Sequence, residues 1–147
     1  MIVTTRPAVD ADLAFILDCF LRAMRPSLTE WRGEWNELRE RTRFVDVLDL
    51  DRATIIEADE AMVGFLLLVE SPRVLQLHTI AITPEHQGRG IGSEIVRDVV
   101  NIGRQTGRYV VLSVLKSNPR AEALYVRLGF CVVEETEYYR HLRWTAR

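Results

Sequence analysis

The densest run of residues able to do chemistry in this 147-residue chain is Ile80-Ala81-Ile82-Thr83-Pro84-Glu85-His86-Gln87-Gly88-Arg89-Gly90-Ile91-Gly92. It reads as a strand, a glycine-rich turn and the start of a helix in direct succession. Glycines let a backbone approach an anion closely and take up positive φ angles. The unpaired amides and positive dipole end of the following helix then face the negative charge, as in a pyrophosphate cradle. A turn that merely packs a helix closely against a strand is the competing reading of the same glycines. The run is not a P-loop, because the Gly-Lys-Ser/Thr ending is missing. Nor is it the dinucleotide fingerprint, whose third glycine would stand elsewhere and whose loop would not lie mid-chain.

The remaining reactive side chains are sparse. His78, His86 and His141 have no metal-ligand spacing, so no metal is expected. Cys19 and Cys131 lie far apart without a C-x-x-C pair, which points to small apolar residues in a reducing cytoplasm rather than to a disulfide or zinc site. A formal net charge of −2 and a pI near 5.9 leave no basic excess for a nucleic-acid backbone. The longest apolar runs, 61–69 and 109–115, fall far short of the roughly 20 residues of a membrane span, and the first residues lack the pattern of a signal peptide. With 48% hydrophobic and 27% charged residues, the chain is expected to form one folded domain over 1–147.

The elements that must position the loop follow from periodicity. A strand is expected at 2–6, then a helix capped by Asp10 with Leu13, Ile16, Leu17 and Phe20 at helical spacing and closed by Pro26. A second helical stretch, 27–44, would carry Trp31, Trp35 and Leu38 on one side. Strands at 52–58 and 62–71 form a hairpin around Asp59-Glu60-Ala61, and a third follows at 74–82. After a helix at 90–104 with Ile91, Ile95 and Val99 inward, the apolar strand 109–115 reads as central and buried on both faces. Asn118-Pro119 opens a last helix with Ala121, Leu124, Tyr125 and Leu128 inward, Gly129 caps it, and strands 130–137 and 138–144 finish the chain.

Gln87-x-x-Gly90-x-Gly92 after a strand ending Ile80-Ala81-Ile82 resembles the coenzyme A loop of the GNAT superfamily of N-acetyltransferases, and Asn118-x-x-Ala121-x-x-Leu124-Tyr125 with Gly129-Phe130 resembles that family's second motif. The resemblance implies a mixed α/β fold, with a mostly antiparallel sheet of about seven strands flanked by about four helices. It also implies an acyl-coenzyme A cleft where the strands ending near Ile82 and Val114 splay apart. Backbone groups of Ile80, Ala81 and Ile82 would pair with the pantetheine arm. Gln87 and the amides of Gly88, Arg89, Gly90, Ile91, Gly92 and Ser93 would hold the pyrophosphate, while Asn118 and Ala121 would border the arm.

The implied reaction moves acetyl from acetyl-CoA to a primary amine of a small molecule or protein. A backbone NH near Ile82 would meet the oxyanion. Tyr125 would protonate the leaving thiolate, its other reading being an aromatic anchor. By strand alternation Gln76, His78 and Ile80 share a face, which makes His78 a candidate general base, with Glu57 and Glu70 as alternatives. Trp31, Glu34 and Trp35 would line an acceptor pocket suited to a cation, or simply belong to an amphipathic helix. A non-catalytic acyl-CoA-binding module is the competing function. Exposed strand edges leave both monomer and homodimer open.

Overall fold

In the computed structural model, which describes residues 1–146, seven strands form one sheet in the order β1-β2-β3-β4-β5-β7-β6. The strands are β1 (Val3–Pro7), β2 (Ala53–Ala58), β3 (Ala61–Glu70), β4 (Val74–Ile82), β5 (Tyr109–Leu115), β6 (Cys131–Glu135) and β7 (Tyr139–Trp144). Every neighbouring pair is antiparallel except β4 with β5. Four α-helices cover the faces: α1 (Leu13–Arg32), α2 (Glu37–Val47), α3 (Ile91–Thr106) and α4 (Pro119–Arg127). The expected mixed α/β architecture is therefore the observed one. No helix among the described residues is long and apolar enough to cross a membrane.

Two apolar layers sandwich the sheet. On one side Ile91, Ile95, Val96, Val99 and Val100 of α3, with Tyr125 of α4, pack on Leu75, Leu77, Val110, Leu112 and Val114. On the other, Ile16 and Cys19 of α1 and Phe44 of α2 pack on Ala53, Ile55, Phe65, Leu67 and Ala81. Each large aliphatic residue buried this way contributes about 1.5–3 kcal/mol.

Tertiary packing moved several expected boundaries. Pro26 does not close the first helix but lies inside α1, which runs on to Arg32 and ends at Gly33 in the left-handed conformation. A proline in a helix interior costs about 3 kcal/mol or more. The buried stripe Ile16, Cys19, Leu21 and Leu28 straddles Pro26 and offsets that cost by holding both halves of α1 in place. The break falls instead at Gly33, so Trp31 lies in the last turn of α1 while Trp35 precedes α2, and Leu38 is largely exposed. At the start of α1, the buried Asp12 rather than Asp10 does the tying: its carboxylate accepts from Val9 N at 2.8 Å and from both terminal nitrogens of Arg6, at 2.8 and 3.0 Å. Nor is β5 buried on both faces, since Ser113 is exposed and Val111 half-buried where no helix covers that side.

The feature that shapes the site is a bulge in β4. Leu68 pairs with Leu77 and Leu67 with Thr79, so His78 has no partner on β3. One extra residue flips the inward face of the strand. Leu75 and Leu77 before the bulge face the α3 layer, whereas after it Ile80 and Ile82 do so and Ala81 turns to the α1 layer. Gln76 and Ile80 thus stand on opposite faces, against the simple alternation. Past the bulge β4 also leaves β5: the parallel pairing is confined to Val74, Leu75 and Gln76 with Tyr109, Val110 and Val111.

Candidate active site

Where β4 and β5 part, a cleft of about 600 Å³ opens between α1, the turn after β4, the start of α3 and α4. Its walls include Ile80, Ala81, Ile82, Gln87, Gly88, Gly90, Ile91, Gly92, Ser93, Asn118, Ala121 and Tyr125, which are the expected cofactor residues with the exception of Arg89. Sequence reasoning missed Met24, Pro26 and Ser27 of α1 and Arg120, Leu124 and Arg127 of α4. Of these, Leu124 belongs to the second motif but reads in the sequence only as an inward residue of its helix, and Pro26 reads as a helix stop. Among the described residues no carboxylate lines the cleft, although the chain is acidic overall, so the field inside suits an anion.

The turn is built to present amides. Gly90 caps α3 with φ of 83° and ψ of 4°, a left-handed conformation that a side chain strains. With this start the first turn of α3 directs its unpaired amides outward, at the positive end of a 16-residue helix. Gln87 Nε2 donates to Ile82 O at 2.9 Å and so ties the turn back to its strand. At the head of α4, Asn118 Oδ1 accepts from Ala121 N at 3.3 Å and caps the helix. Ser117 Oγ donates to Ser27 O at 2.9 Å, joining α1 to the approach to α4.

Tyr125 lies in the cleft wall with its ring edge-on to Phe130 at 5.8 Å and only 8% of its surface exposed. Burial pushes its hydroxyl up to about 12, so it holds its proton at neutral pH.

The expected proton acceptors stand elsewhere. His78 is exposed at the bulge, its Nδ1 2.8 Å from Thr79 Oγ1, and is not among the lining residues. Glu57 lies on β2 beside Arg6, at 3.6 Å, and Glu70 pairs with Arg108 at 3.0 Å. On the uncovered side of β5, His141 Nδ1 sits 2.6 Å from Ser113 Oγ across the β5–β7 pair. His86 borders the cleft with its Nδ1 2.8 Å from Thr83 Oγ1.

Trp31, Glu34 and Trp35 do not form one lining. Trp31 packs on Tyr138 and Tyr139, with ring centroids 5.5 and 5.9 Å away, and Arg32 covers its face at 4.2 Å. Glu34 pairs with Arg39 at 3.1 Å. Trp35 carries Arg25 at 5.1 Å and borders a separate cavity of about 130 Å³ with Arg22 and Arg41. A guanidinium group of the protein itself thus lies over each indole, and Gly33 breaks the helix that would have aligned the three.

Comparison with known proteins bears on what such a cleft does. The Acetyltransferase (GNAT) family model matches residues 18–130. The N-alpha-acetyltransferase RimI of Mycobacterium tuberculosis is 40% identical over 70 residues, which are 47% of this chain and 43% of that protein. An uncharacterized N-acetyltransferase of Methanocaldococcus jannaschii is 27% identical over 135 residues, 86% of this chain and 60% of its own. The chain therefore spans less than two thirds of either relative. Among solved structures, the PaiA N-acetyltransferase of Thermoplasma acidophilum in complex with coenzyme A superposes with a TM-score of 0.69 at 20% identity, covering 99% of this chain and 100% of that one.

Proposed function

The chain belongs to the GNAT acetyltransferase family, and from that premise we propose that it is an N-acetyltransferase that moves acetyl from acetyl-coenzyme A to a primary amine by direct attack. One observation carries the reading: a cleft that combines an amide-presenting turn, a wall free of carboxylates and a buried, protonated tyrosine. The amides from Gly88 to Ser93, Arg89 included, take the pyrophosphate. The free edge of β4 from Ile80 to Ile82 lies along the pantetheine arm beside Ala121 and Asn118. The coenzyme supplies the activated acyl thioester.

The residues then divide the proton work. A backbone NH at the splayed end of β4, near Ile82, stabilises the oxyanion. As the carbon–sulfur bond breaks, the Tyr125 hydroxyl donates to the thiolate. The proton leaving the amine passes to an imidazole on the open side of the sheet, either His78 on β4 or His141 on the strand beside β5, directly or through water. Glu57 and Glu70 are committed to arginines.

In this reading 1–147 work as one acetyltransferase domain, as a monomer or homodimer, without nucleic acid or membrane as partner. Its two cysteines, both free, fit a reducing cytoplasm. The acceptor is a small-molecule amine or a protein amine. The N-alpha-acetyltransferase named among the relatives makes peptide N-termini the first acceptors to try.

The test is ligand-induced stabilisation, since a ligand that binds only the native state raises the melting temperature. Acetyl-CoA and CoA are expected to raise it and ATP and NAD to leave it unchanged. Thiol release is then measured with N-terminal peptides, free amino acids and polyamines. A folded protein with no shift at saturating CoA would overturn the reading.

A further inference from the structure

Coenzyme A carries a third phosphoryl group, on the ribose 3′-oxygen, besides the two of its pyrophosphate. We propose that Arg120 and Arg127 of α4 hold this 3′-phosphate and make the cleft selective for coenzyme A over 3′-dephospho-coenzyme A, an inference that rests on the reading of the cleft given above.

The two arginines stand seven residues apart on α4, two turns along one helix face, with Leu124 between them. All three line the cleft. The stripe runs beside the phosphate turn: a Cβ on Gly88 would come within 3.4 Å of Arg120 Nη2, and one on Gly92 within 3.9 Å of Leu124 Cδ2. Leu124 therefore faces the amide-bearing start of α3, Arg120 reaches the turn before it, and Arg127 lines the same cleft two helical turns further along α4. The amides and helix dipole are left to the pyrophosphate, and the guanidinium groups to a neighbouring anion.

Charge distribution points the same way. Among the described residues neither Arg120 nor Arg127 forms an ion pair. Arg140, by contrast, is held by Glu122 of the same helix and by Glu135. Both cleft arginines are exposed, and among the described residues no carboxylate shares the wall with them. Two unpaired guanidinium forks on one face match the oxygens of a phosphate dianion, which a point charge on a single flexible stem would grip less well.

Isothermal titration of CoA and of 3′-dephospho-CoA into the wild type, R120Q, R127Q and R120Q/R127Q tests the assignment. The wild type is expected to prefer CoA by about tenfold or more, near 1.4 kcal/mol. Each single variant narrows the preference. The double variant brings the two affinities together while binding 3′-dephospho-CoA as the wild type does. Equal affinities in the wild type would overturn the proposal, as would a double variant that weakens both coenzymes alike, which would assign the arginines to the pyrophosphate. Failure of the wild type to bind either coenzyme would overturn the reading of the cleft itself. Melting temperatures of the unliganded variants, expected to equal the wild type's because both side chains are exposed, separate folding from binding.

Discussion

Tyr125 joins two properties that pull in opposite directions. Burial against Phe130 holds its hydroxyl near 12, which keeps the proton available but makes the group a weak acid. A thiol titrates near about 8.5, so in the proposed reaction full transfer to the thiolate would be uphill and the hydroxyl would act mainly by hydrogen bonding as charge develops on sulfur. Tyr125→Phe is therefore expected to lower kcat by roughly 10- to 100-fold, toward the low end for general acids. The KM for acetyl-CoA should stay within about threefold, since the interaction grows only in the transition state. Steady-state thiol release measures both; an unchanged kcat would reduce Tyr125 to a packing residue. Glycine runs and a tyrosine in a motif are legible because few residue types can replace them. Arg120 and Arg127 were not, since an arginine on a helix is usually just a solvated side chain and only its neighbours distinguish it.

Among the elements β4 decides the most, and it is held on both sides. His78 is the extra residue that turns Ile80 and Ile82 to the α3 layer and ends the pairing with β5. From β3, Gly64 pairs with Ile82, and a Cβ there would stand 2.3 Å from Ala81 O. From α1, Cys19 Sγ donates to the same carbonyl at 3.6 Å. Gly64→Ala must push the cleft segment of β4 away from β3, because the closest clash is with backbone, and the Ile82 side chain at 2.9 Å adds to it. The expected loss is about 2 kcal/mol or more in urea unfolding, typical of overpacking. CoA affinity should fall as well, because Ala81 lines the cleft. Full stability together with full affinity would show that β4 is less constrained than this geometry requires. Gly64 gave no sequence signal, since a glycine in an apolar strand reads only as a weak spot until the facing carbonyl is known.

Across the whole molecule the charged and buried titrating groups set a pH window of stability. Hydrogen bonds from Arg6 and then from Val9 N hold the Asp12 carboxyl down to about 2, from an ordinary 3.8. Its contribution is full above the unfolded value and is lost as pH falls through 3.8 toward 2. Burial, the larger cause, and the nearby Asp18 raise Cys19 from 9.0 to about 12, and burial raises Tyr125 from 10.0 to about 12. Groups raised in this way stabilise fully below their unfolded values, so stability should decline as pH rises from about 9 to 12. Urea midpoints against pH should show both limbs. Asp12→Asn should flatten the acid limb and Tyr125→Phe should reduce the alkaline one; limbs unmoved by either change would place the responsible groups elsewhere.

The sequence by itself determined what local chemistry controls: the order of strands and helices, the glycine turn that opens α3, the capping Asn118, and, through the motifs that resemble it, the family. These depend on neighbours along the chain, whose dihedral preferences and apolar periodicity are written in residue types. Tertiary structure decided the rest. It carried α1 through Pro26 because packing on the sheet outweighs one lost helical hydrogen bond. It placed a bulge at His78, where period-two alternation gave no warning, and so separated Gln76 from Ile80. It broke the helix at Gly33, which put Trp31, Glu34 and Trp35 on separate segments, each beside an arginine of the protein itself. It left β4 and β5 apart beyond Gln76 and Val111, with the guanidinium groups of Arg120 and Arg127 along the opening. Each of these depends on which distant surfaces meet, and the free energy of that meeting is not a property of any one segment.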